Sequence, residues 1–261
     1  MKKIALLLVL VLALSSFTGI AYAKENGVKK ADKILEKRGF PEELINMMPY
    51  EQKEDIIEQK AYYEGHKKVS MDEIDDDSLD GVSIKTISTS DLDFYITTTY
   101  LYPFNSDEKK LRIYTNYEWL IQPFFTFSDP VGIAWDSGDW RVLPGDYTYK
   151  TYYDCMNIDT FETSTHSYSD DAVSYSDPNG VGWDMDIKNS YNGLSVTKNY
   201  GYGAVTIEAR TPSESGTCEL YAKYAHAQGT GSIGLSYGIA SIDVTGGADY
   251  DSRGTEKFVN Y

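Results

Sequence analysis

Leu92-Asp93-Phe94-Tyr95-Ile96-Thr97-Thr98-Thr99-Tyr100 and Leu111-Arg112-Ile113-Tyr114-Thr115-Asn116-Tyr117-Glu118-Trp119 decide the fold. In the first, Leu92, Phe94, Ile96, Thr98 and Tyr100 alternate against Asp93, Tyr95, Thr97 and Thr99. In the second, Leu111, Ile113, Thr115, Tyr117 and Trp119 alternate against Arg112, Tyr114, Asn116 and Glu118. A period of two sends successive side chains to opposite faces of a strand. Runs of the same kind follow at 147–155, 181–187, 194–198, 205–209, 218–226 and 233–239. Ser137-Gly138, Pro144-Gly145, Pro178-Asn179-Gly180, Asn192-Gly193 and Thr230-Gly231 separate them as turn signals. Many short alternating strands predict an antiparallel sandwich or barrel. With one face buried and one wet, the pattern predicts a mainly β, two-sheet β-sandwich over 82–261.

Upstream, the character changes. Residues 24–68 carry 10 basic and 10 acidic side chains, whereas 69–261 carry 12 and 30, so the second region holds a net charge of −18. Such a shift marks a boundary. Residues 24–68 read as a short N-terminal helical segment, an appendage or a pro-segment. A first helix over Val28–Arg38 stops at Gly39. Pro41 starts a second, with Leu44 and Met48 four apart, and Pro49 starts a third carrying Ile56, Ile57 and Tyr63. Residues 69–81 form an acidic linker. Asp76, Ser78, Asp80 and Gly81 match part of a calcium loop. Ile87 stands where a bidentate Glu is required, which rejects an EF-hand.

At the start, Lys2 and Lys3 precede the apolar run Ile4–Leu14, and Ala21-Tyr22-Ala23 has the small-x-small form of a signal-peptidase site. Residues 1–23 read as a secretory signal peptide. The apolar run is short for a bilayer, and no second one follows, so no transmembrane segment is expected after cleavage. The expected destination is extracellular. There, the even pair Cys155 and Cys218 predicts one disulfide, contributing roughly 4 kcal/mol. The alternative is two buried thiols in strands.

The charge of −16 excludes phosphate-neutralising functions, and nucleic acid with them. Gly234-Leu235-Ser236-Tyr237-Gly238 matches G-x-S-x-G, but it lies in a strand-period run and all three His residues precede it. His66 would end a charged helix, His166 sits in a polar run, and His226 falls on the face of Cys218, Leu220, Ala222 and Tyr224 as a satisfied strand-end His. Acid pairs such as Asp136/Asp139, Asp170/Asp171, Asp184/Asp186 and Asp249/Asp251 are too numerous to single out a catalytic set. They leave Ca2+ open as a ligand of loop carboxylates. No catalytic residues are assigned, and no other cofactor is implied.

Aromatic residues suggest binding. The chain has 23 Tyr and 4 Trp, and Tyr95, Tyr114 and Tyr152 fall on polar strand faces. Exposed rings on a rigid sheet stack well on sugars. The segment Ile133–Arg141 gathers Trp135, Asp136, Asp139, Trp140 and Arg141 around a turn. With Tyr114 and Tyr152 it forms the candidate contact face. The competing reading puts one Trp in the core, one over the turn, and Arg141 on Asp139.

The motif Leu35-Glu36-Lys37-Arg38-Gly39-Phe40-Pro41, with Leu44, Met47 or Met48, Lys53 and Ile56 following, carries a resemblance. So do Asn116-Tyr117-Glu118-Trp119-Leu120, Pro123, Asp129 to Trp135-Asp136, and Trp140-Arg141. Together they resemble a family of secreted β-rich proteins of Gram-positive bacteria and their prophages that has no assigned activity. The resemblance implies a signal peptide and a β-rich extracellular domain, and it brings no catalytic residues.

The expected function is non-catalytic binding of a glycan or another cell-surface component. The alternative is a secreted toxin or antimicrobial effector acting on membranes, suggested by the Ser/Thr/Gly alternation of Ile96–Tyr100 and Ser232–Ile239. A secreted hydrolase is third.

Overall fold

The computed structural model describes residues 26–68 and 85–261, apart from 106, 171, 230–232, 240, 247 and 248. The signal peptide, the acidic linker and the partial calcium loop at 76–81 lie outside the described residues. The chain divides between Tyr63 and Glu64 into two compact units.

In the first unit, helix α1 runs to residue 37 and is described from 26. Gly39 ends it at φ +91°, with the N–H of Phe40 on the Leu35 carbonyl (3.1 Å) and that of Gly39 on Glu36 (3.0 Å). This left-handed cap is what a glycine permits without Cβ strain. Pro41 and Pro49 cap α2 (Glu42–Met47) and α3 (Tyr50–Glu58). Leu35, Phe40, Leu44, Ile45, Met48 and Ile56 form the interior. Arg38 donates to the Ile56 carbonyl at 2.9 Å, which satisfies an orphan acceptor at the end of α3. The third helix was expected to reach Tyr63 and the helical segment residue 68. Instead, α3 ends at Glu58, Lys60 turns the chain at φ 54°, and β1 (Ala61–Lys68) begins. His66 therefore lies in a strand.

The second unit is a sandwich of two mainly antiparallel sheets, with a separate two-stranded hairpin. Its strands are the Glu64–Lys68 part of β1, β2 (Lys85–Thr86), β3 (Leu92–Leu101), β4 (Lys110–Trp119) and β5 (Ser128–Trp135). They continue with β6 (Trp140–Met156), β7 (Thr163–Asp170), β8 (Tyr175–Asp177), β9 (Gly180–Asp186), β10 (Ser190–Tyr191) and β11 (Leu194–Ala209). Last come β12 (Thr217–Ala227), β13 (Ile233–Gly238), β14 (Ser241–Gly246) and β15 (Tyr250–Asn260). One sheet has the order β1-β3-β4-β11-β6-β7, with β10 on β11. The other runs β2-β15-β12-β5-β9-β8.

The alternation of β3 and β4 registers as expected, with Phe94 opposite Tyr117 and Ile96 opposite Thr115. Their apolar residues meet Val131, Ile133 and Trp135 of β5 and Leu220, Ala222 and Tyr224 of β12 in one core. Gly203 makes room for Trp183, whose ring would lie 2.5 Å from an added Cβ. One expectation changes. The polar faces of β3 and β4 are not wet, because Tyr95, Thr97, Thr99, Arg112, Tyr114 and Asn116 are all buried. Tyrosines also pack on that face: Tyr114 meets Tyr202 at 6.4 Å, and Tyr152 stacks on Tyr200 at 5.0 Å. Ile96–Tyr100 is thus an interior strand of a sheet.

Among the described residues, strands β13 and β14 pair only with each other. Leu235, Tyr237 and Ile242 of this hairpin reach the backbone of Gly132, Gly180 and Gly182 on β5 and β9. The G-x-S-x-G match is β13 itself, and another strand follows it.

The expected disulfide is not formed: Cys155 and Cys218 are free, buried thiols. Asp136 and Asp139 lie close enough to Cys218 to raise its thiol pKa, although burial is the larger cause. That places Cys218 at the Trp140 end of β6, while Cys155 stands near the other end of the same strand. Fifteen residues at about 3.3 Å each separate them by roughly 50 Å of strand, far beyond disulfide reach. Titration of the unfolded chain without reductant is expected to find both thiols reactive. A titre of zero would show the bridge.

Candidate functional site

The site grows from one buried carboxylate. Asp129 enters β5 with no solvent exposure. Its Oδ2 accepts the Tyr224 hydroxyl at 2.5 Å and stands 2.8 Å from His226 Nδ1, and its Oδ1 accepts the Ala227 N–H at 3.3 Å. Trp119 Nε1 donates to the Tyr224 oxygen at 2.9 Å, and its ring meets His226 edge-on at 4.9 Å. Burial raises the Asp129 pKa above the usual carboxylate value, opposed first by the His226 contact. Burial, with Asp129 beside it, drives the Tyr224 phenol well up, so Tyr224 keeps its proton and donates. The strand period makes the cluster possible: Tyr224 and His226 are two apart on β12 and share one face.

Trp119 ends β4, and the chain then runs Leu120-Ile-Gln-Pro-Phe-Phe-Thr-Phe127 into β5. Pro123 removes a backbone donor, so the strand does not continue. The connection is nonetheless anchored. The N–H groups of Leu120 and Ile121 donate to the Asp91 carbonyl (2.8 and 3.4 Å). Gln122 donates to the Lys188 carbonyl and to Asn189, and accepts from Asn199. Phe125 stacks on Phe127 at 6.1 Å. On this held backbone Ile121 is 59% exposed and Phe124 87%. A cavity of about 450 Å³ adjoins the loop, with Trp119, Phe124, Phe125, His226, Asp91 and Asp251 among its walls.

The contact face expected from the sequence is not a surface. Trp135 and Trp140 are fully buried in the intersheet core, and Tyr114 and Tyr152 are buried too. Trp140 packs edge-on against Tyr261 at 4.9 Å. Their alternation places them inward, where large rings fill the interior. Asp136 is a turn residue whose Oδ1 accepts the Gly138 N–H at 2.7 Å. Asp139 is exposed in the same turn, and Arg141 pairs with Glu208 at 2.6 Å rather than with Asp139. His226 does have the expected satisfied place at its strand end. His166 lies on β7, 3.1 Å from Ser164 Oγ, with its ring on Tyr191. Among the described residues, no group of three or more His, Cys, Asp or Glu is placed to hold a metal ion.

In the sequence Leu120, Pro123 and Asp129 stood out only as parts of the resemblance, with no site role for the carboxylate or the loop 120–127. The signal for the loop was present, since three Phe within four residues after a Pro break the strand period.

A two-sheet antiparallel sandwich with an anchored apolar loop and an adjoining cavity is the class of molecule these features define. No family model matches the chain, and no curated protein matches it. Among solved structures, it is similar to a pore-forming protein at 8% identity and a TM-score of 0.35, over 77% of this chain and 95% of the other. It is similar to Clostridium perfringens delta-toxin at 8% and 0.32, over 77% and 88%. It is also similar to the Clostridium perfringens NetB toxin in its membrane-inserted form, at 10% and 0.32, over 76% and 96%. TM-scores of this size establish neither a shared fold nor a shared activity.

Proposed function

We propose that the protein is secreted and attaches, without catalysis, to an extracellular surface through the 120–127 loop and its cavity. The carrying observation is the exposure of Ile121 and Phe124 on a backbone fixed by hydrogen bonds. Each such side chain, once covered, contributes about 1.5–3 kcal/mol. Rigid presentation keeps the ordering cost low. The net charge of −16 favours an uncharged or zwitterionic surface over an anionic one. Ser88, which also lines the cavity, engages its hydroxyl with Ser90 at 2.8 Å rather than with His226, which favours binding over hydrolysis.

The test is co-sedimentation with neutral lipid vesicles and, separately, with isolated Gram-positive cell walls. Phe124→Asp is expected to lower retention by about tenfold or more, with the melting temperature unchanged. Equal pelleting of the parent and Phe124→Asp would remove the loop from the contact. A membrane-acting effector is the second reading, favoured by the separately seated hairpin β13–β14. Among the described residues its strands have six residues each, against about nine to eleven for a crossing strand, whereas the loop's exposed Ile121 and Phe124 are fully described, so binding stands first. Dye release from neutral liposomes separates the two, because a binder releases none.

A further inference from the structure

A second apolar projection stands at the same end of the sandwich as the loop 120–127. It is the turn Asn157-Ile158-Asp159-Thr160-Phe161-Glu162 between β6 and β7. The register fixes its place. Near the Trp119 end of β4, Glu118 lies opposite Tyr200 of β11. Toward its own start, β11 then sets Asn199 opposite Tyr153 of β6 and Ser195 opposite Met156. Asn199 Nδ2 also donates to Gln122 Oε1 at 2.9 Å, which ties the loop to this level. From there the turn reaches roughly 15 Å further out, five residues at about 3.3 Å each.

The turn is held as firmly as the loop. The Phe161 N–H donates to the Asn157 carbonyl (2.8 Å), and the Asn157 N–H donates to the Glu162 carbonyl (2.9 Å). Asn157 Oδ1 accepts from the N–H groups of Asp159 and Thr160 (2.9 and 3.2 Å). On this backbone Ile158 is 66% exposed and Phe161 73%. Phe161 stands at φ 59°, a left-handed conformation that Gly or Asn adopts at less cost. A phenylalanine there neither eases the backbone nor fills a core.

Two firm tips, each carrying an Ile and a Phe, narrow what they can meet. The cavity beside the loop has Ile121 and Phe124 in its walls but neither Ile158 nor Phe161, so a ligand confined to it leaves the turn bare. A sugar polymer would bring hydroxyls that Ile side chains cannot pair. Acyl chains need no such partners and adjust to a convex tip. Asp159, Thr160 and Glu162 are exposed on the turn, which confines it to a shallow depth near the headgroups. The net charge of −16 repels anionic headgroups.

We infer that the 157–162 turn is a lipid anchor, which together with the loop docks this end of the sandwich on a zwitterionic phospholipid bilayer. The inference rests on the surface attachment proposed above and names the surface as lipid.

The experiment pellets the full secreted chain with phosphatidylcholine vesicles, with phosphatidylglycerol vesicles and with isolated Gram-positive cell walls. Binding is expected on phosphatidylcholine, and about tenfold weaker on phosphatidylglycerol at low salt. Phe161→Asn suits the backbone of the turn and removes the ring. It is expected to weaken phosphatidylcholine binding about tenfold, with a melting temperature no lower than the parent's. In Phe161→Trp, brominated phosphatidylcholine is expected to quench the added emission, against a parent whose four Trp are all buried. Pelleting on walls but not on phosphatidylcholine overturns the inference and leaves surface attachment standing. Vesicle binding that Phe124→Asp weakens and Phe161→Asn does not has the same meaning. Weakening by Phe161→Asn alone supports the anchor and removes the loop from the contact. Tighter binding on phosphatidylglycerol overturns the zwitterionic assignment. A dimer that Phe161→Asn disperses, with no vesicle binding, assigns the turn to a second copy of the chain and overturns the anchor. Pelleting with none of the three surfaces overturns both the anchor and surface attachment.

Discussion

Asp129→Ala is expected to destabilise the sandwich by about 3–5 kcal/mol, the cost of stripping one partner from a buried charged network. Asp129 is fully buried and takes hydrogen bonds from Tyr224, His226 and the Ala227 backbone. Its removal leaves a buried phenol and a buried imidazole without their acceptor, and each unpaired group costs about 1–3 kcal/mol. At about 2–4 °C per kcal/mol for a domain of this size, the melting temperature should fall by roughly 10 °C. Asp129→Asn keeps an acceptor for one of the donors and should cost less. The exposed Arg141–Glu208 pair is the control: Arg141→Ala should change stability by less than about 1 kcal/mol. Denaturant melts of the three variants decide the matter. An Asp129→Ala variant as stable as the control would mean that the carboxylate organises nothing.

Gly180→Val is expected to unseat the β13–β14 hairpin while the sandwich stays folded. A Cβ at Gly180 would lie 2.6 Å from Cε1 of Tyr237 and closer still to Cδ1. At Gly132 it would meet Leu235 Cδ1 at 2.7 Å. The glycines of β5 and β9 thus form a bed that admits Leu235 and Tyr237 only because side chains are missing from it. Overpacking costs about 1–3 kcal/mol when the neighbours hold their positions. Here the neighbour is a two-stranded hairpin with no other strand partner among the described residues, so it gives way first. Chymotrypsin should then cut between 228 and 249 many times faster than in the parent, releasing no smaller fragments of the sandwich. Unchanged cleavage would show that the hairpin tolerates the added bulk. Global unfolding would show that it belongs to the core.

Most of the architecture was legible from two features. The strict alternation of 92–100 and 111–119 gave β3, β4 and their inward faces, and Gly39 with Pro41 and Pro49 gave the helix ends. The misreadings have physical causes. A polar residue on a strand suggests water, but Thr97, Thr99 and Asn116 are buried, because a sheet can be covered on both faces. Trp135 and Trp140 look like a contact pair because ring density, not direction, is visible in a sequence. Their parity on β5 and β6 sends both rings inward. Cys155 and Cys218 pair arithmetically, but Cys155 lies near one end of β6 while Cys218, on β12, lies near the other end of that long strand. The Asp129 cluster joins β5 to β12 across about a hundred residues, and no local pattern encodes that meeting. Phe124-Phe125-Thr126-Phe127 was legible as a break in period, yet only the fold shows that Phe124 faces outward.

The two-residue strand β2 has a consequence for how the protein is made. It pairs in parallel with β15, Lys85 beside Asp251 and Thr86 beside Ser252, and β15 in turn is the partner of β12 along its whole length. The β2 edge of the second sheet thus depends on a strand far along the chain. Contacts this distant in sequence slow folding to the millisecond-to-second range. Residues 85 and 86 cannot find their place until β15 has been made and has met β12, so this edge closes late, however early the neighbouring helices and hairpins form.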